Sequence, residues 1–141
     1  MIQLIVGNKG KGKTKHLLDK VNAEILTASG NIVYLDKSTK HMFELNNKVR
    51  LIDVNEFMIE NCDQFIGFVL GIISQDHDLE QVYFDGFMDL AKLNADAVEN
   101  ALMKFKELGE KYNISFVISI SMDEKDIPEC VSVIKESFLT V

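Results

Sequence analysis

The stretch Ile5-Val6-Gly7-Asn8-Lys9-Gly10-Lys11-Gly12-Lys13-Thr14-Lys15 puts three glycines and four lysines into a chain whose formal net charge is −7. Glycines at this density let a backbone turn tightly and aim successive N–H groups into one hollow, with no Cβ in the way. A helix starting just beyond the turn adds its unpaired amino-terminal N–H groups and the positive end of its dipole. Lysine ammonium groups complete a local environment suited to a small anion with several negative charges. Such a concentration of positive charge runs against the acidic average of the chain, and it is the first chemical signal in the sequence.

A second group of candidates is acidic. Asp36, Asp53 and Asp85 each follow a strand-like run: Ile32-Val33-Tyr34-Leu35, Val49-Arg50-Leu51-Ile52 and Val82-Tyr83-Phe84. Open α/β sheets take their ligands at the carboxyl ends of strands, so each Asp is a candidate for water, a cation or a second substrate. Each is also a candidate turn or helix cap. Ser119 and Ser121 close a further apolar run. His16, His41 and His77 show no mutual spacing that indicates a metal site and read as surface or turn residues. Cys62 and Cys130 stand apart, with no C-x-x-C pair, and read as reduced packed thiols.

The elements that must position these residues alternate between strand-like and helix-like patterns, which predicts a parallel sheet covered by helices. Strands are expected at Ile2–Val6, Asn31–Leu35, Val49–Ile52, Gln81–Phe84, Ile114–Ile120 and Ser137–Val141. Leu17, Leu18, Val21, Ile25 and Ala28 predict a helix ending near Ser29, with Gly30 in its left-handed cap. Cys62, Phe65, Ile66, Val69 and Ile73 predict a second helix, opened by Asp53 or Asn55 and apolar almost all round. Val98, Ala101, Leu102, Phe105 and Leu108 predict a third, with Asn94 at its start and Asn113 at its end. A short helix is expected over 129–135, with Pro128 in its first turn.

A length of 141 residues with 47% hydrophobic residues suits one domain over 1–141 with a real core. A sequence pI near 4.9 argues against nucleic acid as a main partner. No basic region precedes the apolar run at Ile2, and the run Phe65–Ile73 is too short to span a bilayer, so a cytoplasmic protein is expected.

Gly7-Asn8-Lys9-Gly10-Lys11-Gly12-Lys13-Thr14 fits the Walker A spacing G-x-x-x-x-G-K-S/T, and Val82-Tyr83-Phe84-Asp85 fits the Walker B pattern. On these residues the chain resembles the P-loop NTPases over nearly its full length. The resemblance implies a three-layer α/β/α sandwich with a mainly parallel five- or six-stranded sheet. Because Ile114–Ile120 follows the Walker B strand, the additional-strand branch that includes RecA-like and AAA-type ATPases is indicated. Its strand order is 5-1-4-3-2, with Val49–Ile52 as an edge extra.

The same resemblance implies ATP and Mg²⁺ as ligands. Gly7, Asn8, Lys9, Gly10, Lys11, Gly12, Lys13, Thr14 and Lys15 would line the nucleotide, with Lys13 on the β- and γ-phosphates. Lys9 and Lys11 either assist or stand as solvated loop lysines. Thr14 and Asp85 would serve Mg²⁺, Lys13 and Asp85 would be catalytic, and Ser119 or Ser121 would sense the γ-phosphate. GTP is disfavoured by the lack of an N-K-x-D motif.

Asn8 stands where one branch carries a second signature lysine, so that branch does not fit. Two departures weaken catalysis: Gly86 follows Asp85 where many members carry glutamate, and Arg50, the single arginine, is expected within a strand and offers no arginine finger. Slow hydrolysis, dependent on a homo-oligomer or protein partner, is the resulting expectation. Two alternatives remain: a nucleoside or nucleotide kinase similar to thymidine kinase, and a non-enzymatic ATP-responsive binding module.

Overall fold

The computed structural model describes residues 1–8, 10, 12–126 and 138–140. Lys9, Lys11, Cys130 and the helix expected over 129–135 lie outside the described residues.

Among the described residues six strands form one sheet: β1 (Ile2–Gly7), β2 (Asn31–Asp36), β3 (Arg50–Asp53), β4 (Leu79–Phe84), β5 (Ser115–Ser121) and β6 (Phe138–Thr140). Their order is β3-β2-β4-β5-β1-β6, and every strand pair is parallel. With β3 set aside as an edge strand, the other five read 5-1-4-3-2 in chain order.

The alternation of side chains along each strand decides which helix covers which face. Ile5, Ile32, Tyr34, Tyr83 and Val117 meet Leu17, Leu18 and Val21 of α1 (Lys13–Glu24) on one face. Leu4, Val6, Val33, Leu35, Val82, Phe84, Phe116 and Ile118 meet α2 (Cys62–Ser74) and α4 (Val98–Tyr112) on the other. Fully burying each such aliphatic or phenyl side chain stabilises the fold by about 1.5–3 kcal/mol.

Five phenylalanines bind the second face together. Phe65, Phe84, Phe87, Phe105 and Phe116 are fully buried, and the rings of Phe84 and Phe105 meet edge-on with centroids 5.0 Å apart. Edge-to-face pairs add about 0.5–1.5 kcal/mol to the area they bury. Phe84 is the last residue of β4 and Phe87 the first of α3 (Phe87–Leu90), with ring centroids 5.6 Å apart. The core therefore grips the chain on both sides of Asp85-Gly86, fixing the turn that carries Asp85.

Several boundaries differ from the expectations. α1 ends at Glu24, and Gly30 is not its left-handed cap. Gly30 instead lies so close to the Asp78 carbonyl that a Cβ could not fit, and its N–H donates to Glu80 Oε2 at 2.7 Å. α2 is opened by Asn61, whose Oδ1 accepts from Gln64 N at 2.9 Å. Asp53 caps a separate 3-10 turn, Val54–Phe57, and Asn94 caps another, Ala95–Ala97, that leads into α4. Asn113 ends α4 in the left-handed conformation, φ 54°. No helix among the described residues is long and apolar enough to cross a membrane.

Candidate functional site

β1 delivers the chain to Gly7 at the carboxyl edge of the sheet, and Met122 N donates to Gly7 O at 3.1 Å beyond the end of β5. Gly10 and Gly12 then adopt φ values of 84° and 87°, and among the described residues no heavy atom beyond the chain neighbours lies within 4 Å of where a Cβ on either would sit. Conformation, not crowding, thus requires glycine there. Gly12 precedes the first residue of α1 with no side-chain cap, so the helix amino terminus is left facing the cleft.

Lys13 is only 8% exposed, and its Nζ donates to Asn8 O at 3.0 Å. The ammonium therefore lies back over the loop that precedes it. Burial pushes its pKa below the usual lysine value, and the Asp85 charge opposes that shift. Thr14 Oγ1 donates to Asp85 Oδ1 at 3.1 Å, and the Tyr34 hydroxyl donates to Asp85 Oδ2 at 2.8 Å. Both Asp85 oxygens are thus held by protein donors from α1 and β2. Burial first, and the Asp85 charge second, push the Tyr34 phenol far above its ordinary pKa, so it stays a neutral donor.

Asp36 differs from its neighbour. It is 3% exposed, its Oδ1 accepts from Lys37 N at 2.7 Å, and its Oδ2 is buried without a partner among the described residues. Burial, and then the Asp85 charge, raise its pKa above the usual carboxylate value, against the Lys37 N–H bond and the His41 and Lys37 charges. A buried acceptor left unmatched in the protein costs about 1–3 kcal/mol, more when charged.

A cleft of about 350 Å³ joins these groups, with Gly10, Gly12, Lys13, Thr14, Asp36 and Asp85 along its floor. His41, Lys40 and Lys37 line it from the loop after β2, and Asp89 lines it from α3. Lys37 Nζ pairs with Asp89 Oδ2 at 2.9 Å across the rim, and Asn55 Nδ2 donates to Lys37 O at 2.9 Å. The arrangement offers positive potential at the α1 terminus and a spare carboxylate acceptor at Asp36.

Gly10, Gly12, Lys13, Thr14, Asp85, Ser119 and Ser121 all line the cleft. Ser119 is bound within the protein: its Oγ accepts from Gly86 N at 2.7 Å and donates to Phe84 O at 3.3 Å, which shapes the turn after β4. Lys15 points away, 80% exposed and paired with Asp19 at 2.8 Å. Asp53 spends its carboxylate on its own turn. Arg50 opens β3 and pairs with Asp76 at 3.5 Å. His41, expected on the surface or in a turn, stands at the turn before Met42–Glu44 and also lines the cleft. Its position five residues beyond Asp36, in the loop leaving the carboxyl end of β2, was the available signal.

No family model matches the chain. Over 121 residues it is 27% identical to a protein of Methanococcus maripaludis described as a probable cobalt-precorrin-6B C(15)-methyltransferase (decarboxylating). The match takes in 70% of this chain and 65% of that protein, so the chain spans just under two thirds of the length of the relative it matches.

That finding corrects the reading built on Gly7–Thr14 and Val82–Asp85. The similarity is to a protein described as a methyltransferase, not to a nucleoside triphosphatase. The P-loop NTPase assignment with its RecA/AAA-type branch, ATP and Mg²⁺ as cofactors, and the hydrolase activity are overturned by it. The kinase and ATP-responsive alternatives fall with them. The physical reason lies in what the spacing encodes. A glycine-rich turn between a buried strand and a helix answers a backbone requirement shared by several ligand classes of open α/β folds. Thr14 and Asp85 were assigned to Mg²⁺; in the structure they are joined directly to each other.

Proposed function

We propose that the cleft binds a ligand carrying an anionic group beside a hydroxyl-bearing sugar, that this ligand is S-adenosylmethionine, and that the chain serves methyl transfer. The similarity to a methyltransferase suggests the reaction class. The observation that carries the reading is the buried, unpartnered Oδ2 of Asp36 in the same cleft as the glycine turn.

The residues present fit such a ligand. Asp36 supplies the acceptor that ribose hydroxyls require, at the end of the strand following the glycine turn, where acidic residues of open α/β sheets meet a ribose. Lys13 and the N–H groups at the start of α1 supply a counter-charge for a carboxylate. Asp36 and Asp85 give the same cleft carboxylate charge for a cationic centre, while Asp89 is paired with Lys37. S-adenosylmethionine, when bound, supplies an electrophilic methyl group on a sulfonium. The chain's own part is to bind and orient: Lys13 fixes the carboxylate end and Asp36 the sugar. The Tyr34–Asp85–Thr14 bonds hold the β4 turn against α1 while they do so.

Titration calorimetry tests this with S-adenosylmethionine and S-adenosylhomocysteine, run beside ATP and ADP with and without Mg²⁺. Saturable binding of the two sulfur compounds, weakened at least tenfold by Asp36→Asn, is expected, since a hydrogen bond to a charged group contributes about 1.5–3 kcal/mol. Binding of ATP with none of S-adenosylmethionine would overturn the reading, as would sulfur-compound binding indifferent to Asp36.

A further inference from the structure

The cleft does not end at His41. A groove of about 430 Å³ runs from it between α1 and the 3-10 turn Met42–Glu44, and Thr14 and His41 line both spaces. We infer that this groove is the subsite for the ligand's flat heterocyclic base, with His41 as the residue whose ring packs on it; this rests on the reading of the cleft as a nucleoside-cofactor site.

Three observations carry the inference. The first is continuity: a ligand whose sugar meets Asp36 and whose charged end meets Lys13 has the groove open beside it at Thr14. The second is chemistry. Leu18, 6% exposed, gives the groove an apolar floor, and the imidazole of His41 is a flat, half-buried partner for a ring. Lys15 and Asp19 also line the groove and pair with each other at 2.8 Å, so Glu44, whose Oε1 faces His41, brings the carboxylate that suits a base carrying an amino donor. Rings stack on aromatic side chains with about 1–3 kcal/mol per base.

The third is rigidity. Asn22 on α1 fixes the opposite wall with both ends of its amide: Nδ2 donates to Glu44 O at 2.8 Å, and Oδ1 accepts from Asn46 N at 2.8 Å. Glu44 Oε1 lies 3.3 Å from His41 Nδ1 and holds the imidazole in place. Leu45, next in the chain, packs on the α1 core. A groove whose walls are bonded to each other is preformed, so little ordering is lost when a ring enters.

The test uses adenosine, which carries the base and sugar but no anionic group, and S-adenosylhomocysteine. Two-dimensional ¹H–¹⁵N spectra of the whole chain, titrated with adenosine, should show shifts at His41, Glu44 and the Asn22 side-chain amide. His41→Ala should weaken both compounds about tenfold, the loss expected from one stacked base, and His41→Phe should restore most of it. Adenosine shifts that map away from the groove, or a His41→Ala affinity within twofold of the parent chain, would overturn the inference. If adenosine meets these expectations while S-adenosylmethionine fails to bind, the base subsite stands and the methyl-donor reading falls.

Discussion

Asp36→Asn should make the ligand-free protein more stable while it weakens ligand binding. Asparagine keeps the shape of the side chain, and its Oδ1 still accepts from Lys37 N, a 2.7 Å bond in the parent protein. The buried Oδ2, which has no partner, is replaced by an uncharged amide nitrogen. The replacement also removes the repulsion from Asp85 that helps raise the Asp36 pKa.

The amide nitrogen is left as unmatched as Oδ2 was, so the gain comes from losing the buried charge and its repulsion from Asp85; an unmatched buried group costs more when it is charged, and a gain on the order of 1–2 kcal/mol at pH 7 is expected. For a chain of this size that is a rise in Tm of about 3–8 °C. The sign follows from linkage. The folded-state pKa of Asp36 lies above the unfolded value of 3.8, so the native state holds the proton more tightly. Its contribution to stability is greatest below the unfolded pKa and is lost as pH rises through the folded pKa. The advantage of the Asp36→Asn variant over the parent should therefore be full near neutrality and shrink as pH falls toward 4. Urea denaturation at pH 7 and pH 4 reads both values. A variant destabilised at pH 7, or one with the same advantage at both pH values, would show that Asp36 carries no unmet demand.

Other substitutions probe the supports of the site. Tyr34→Phe strips the donor from Asp85 Oδ2 inside a fully buried contact and should cost about 1–3 kcal/mol in urea denaturation; an unchanged midpoint would mean that water takes the tyrosine's place. Gly12→Ala meets no neighbour, so it should cost only the strain of a left-handed alanine, about 1–2 kcal/mol. Gly30→Ala drives a methyl into the Asp78 carbonyl and should cost more, about 2–3 kcal/mol; thermal melts of the pair that reverse this ranking would refute the distinction between conformation and crowding. Because burial lowers the Lys13 pKa, affinity for an anionic ligand should fall with rising pH earlier than an ordinary lysine would dictate, and calorimetry between pH 7 and 10 would show it. Phe105→Ala, at the centre of the aromatic cluster, should cost about 3–5 kcal/mol by chemical denaturation.

The sheet was legible because buried parallel strands are written as short apolar runs, most of which stop here near a polar residue or a glycine. Helix starts were less so. Asp53, Asn55 and Asn61 are all good caps, and choosing among them required the left-handed Met58, φ 54°, which breaks the chain before α2. The sequence still held a hint: Asn61 accepts from Gln64 N while Gln64 Oε1 accepts from Glu60 N, a reciprocal pattern close to a capping box. Gly30 was misread because a glycine after an amphipathic segment marks a helix cap and a close backbone approach equally well. Only the neighbour from β4, some fifty residues later, decides between them.

The candidate site shows why a motif names a turn more readily than a ligand. Gly7–Thr14 has the spacing that bends a backbone around an anion, and in the structure Gly10 and Gly12 take left-handed conformations while Lys13 donates to Asn8 O. What separates one ligand from another is which polar groups are left unsatisfied around the bend, and spacing along the chain does not record that. Asp36, Asp53 and Asp85 look alike in sequence, each closing an apolar run. In the fold, Asp85 gives one oxygen to Thr14 and the other to Tyr34, and Asp53 turns back on Asn55 N. Asp36 alone of the three keeps a buried oxygen with no partner among the described residues. An unmet acceptor calls for a donor, a turn lined with N–H groups calls for an anion, and a ligand that meets both demands must carry hydroxyl or amino groups a few ångströms from a negative charge. On the proposed reading an anion without a donor, such as chloride or sulfate, is not the preferred occupant, because it would satisfy Lys13 and leave Asp36 unchanged.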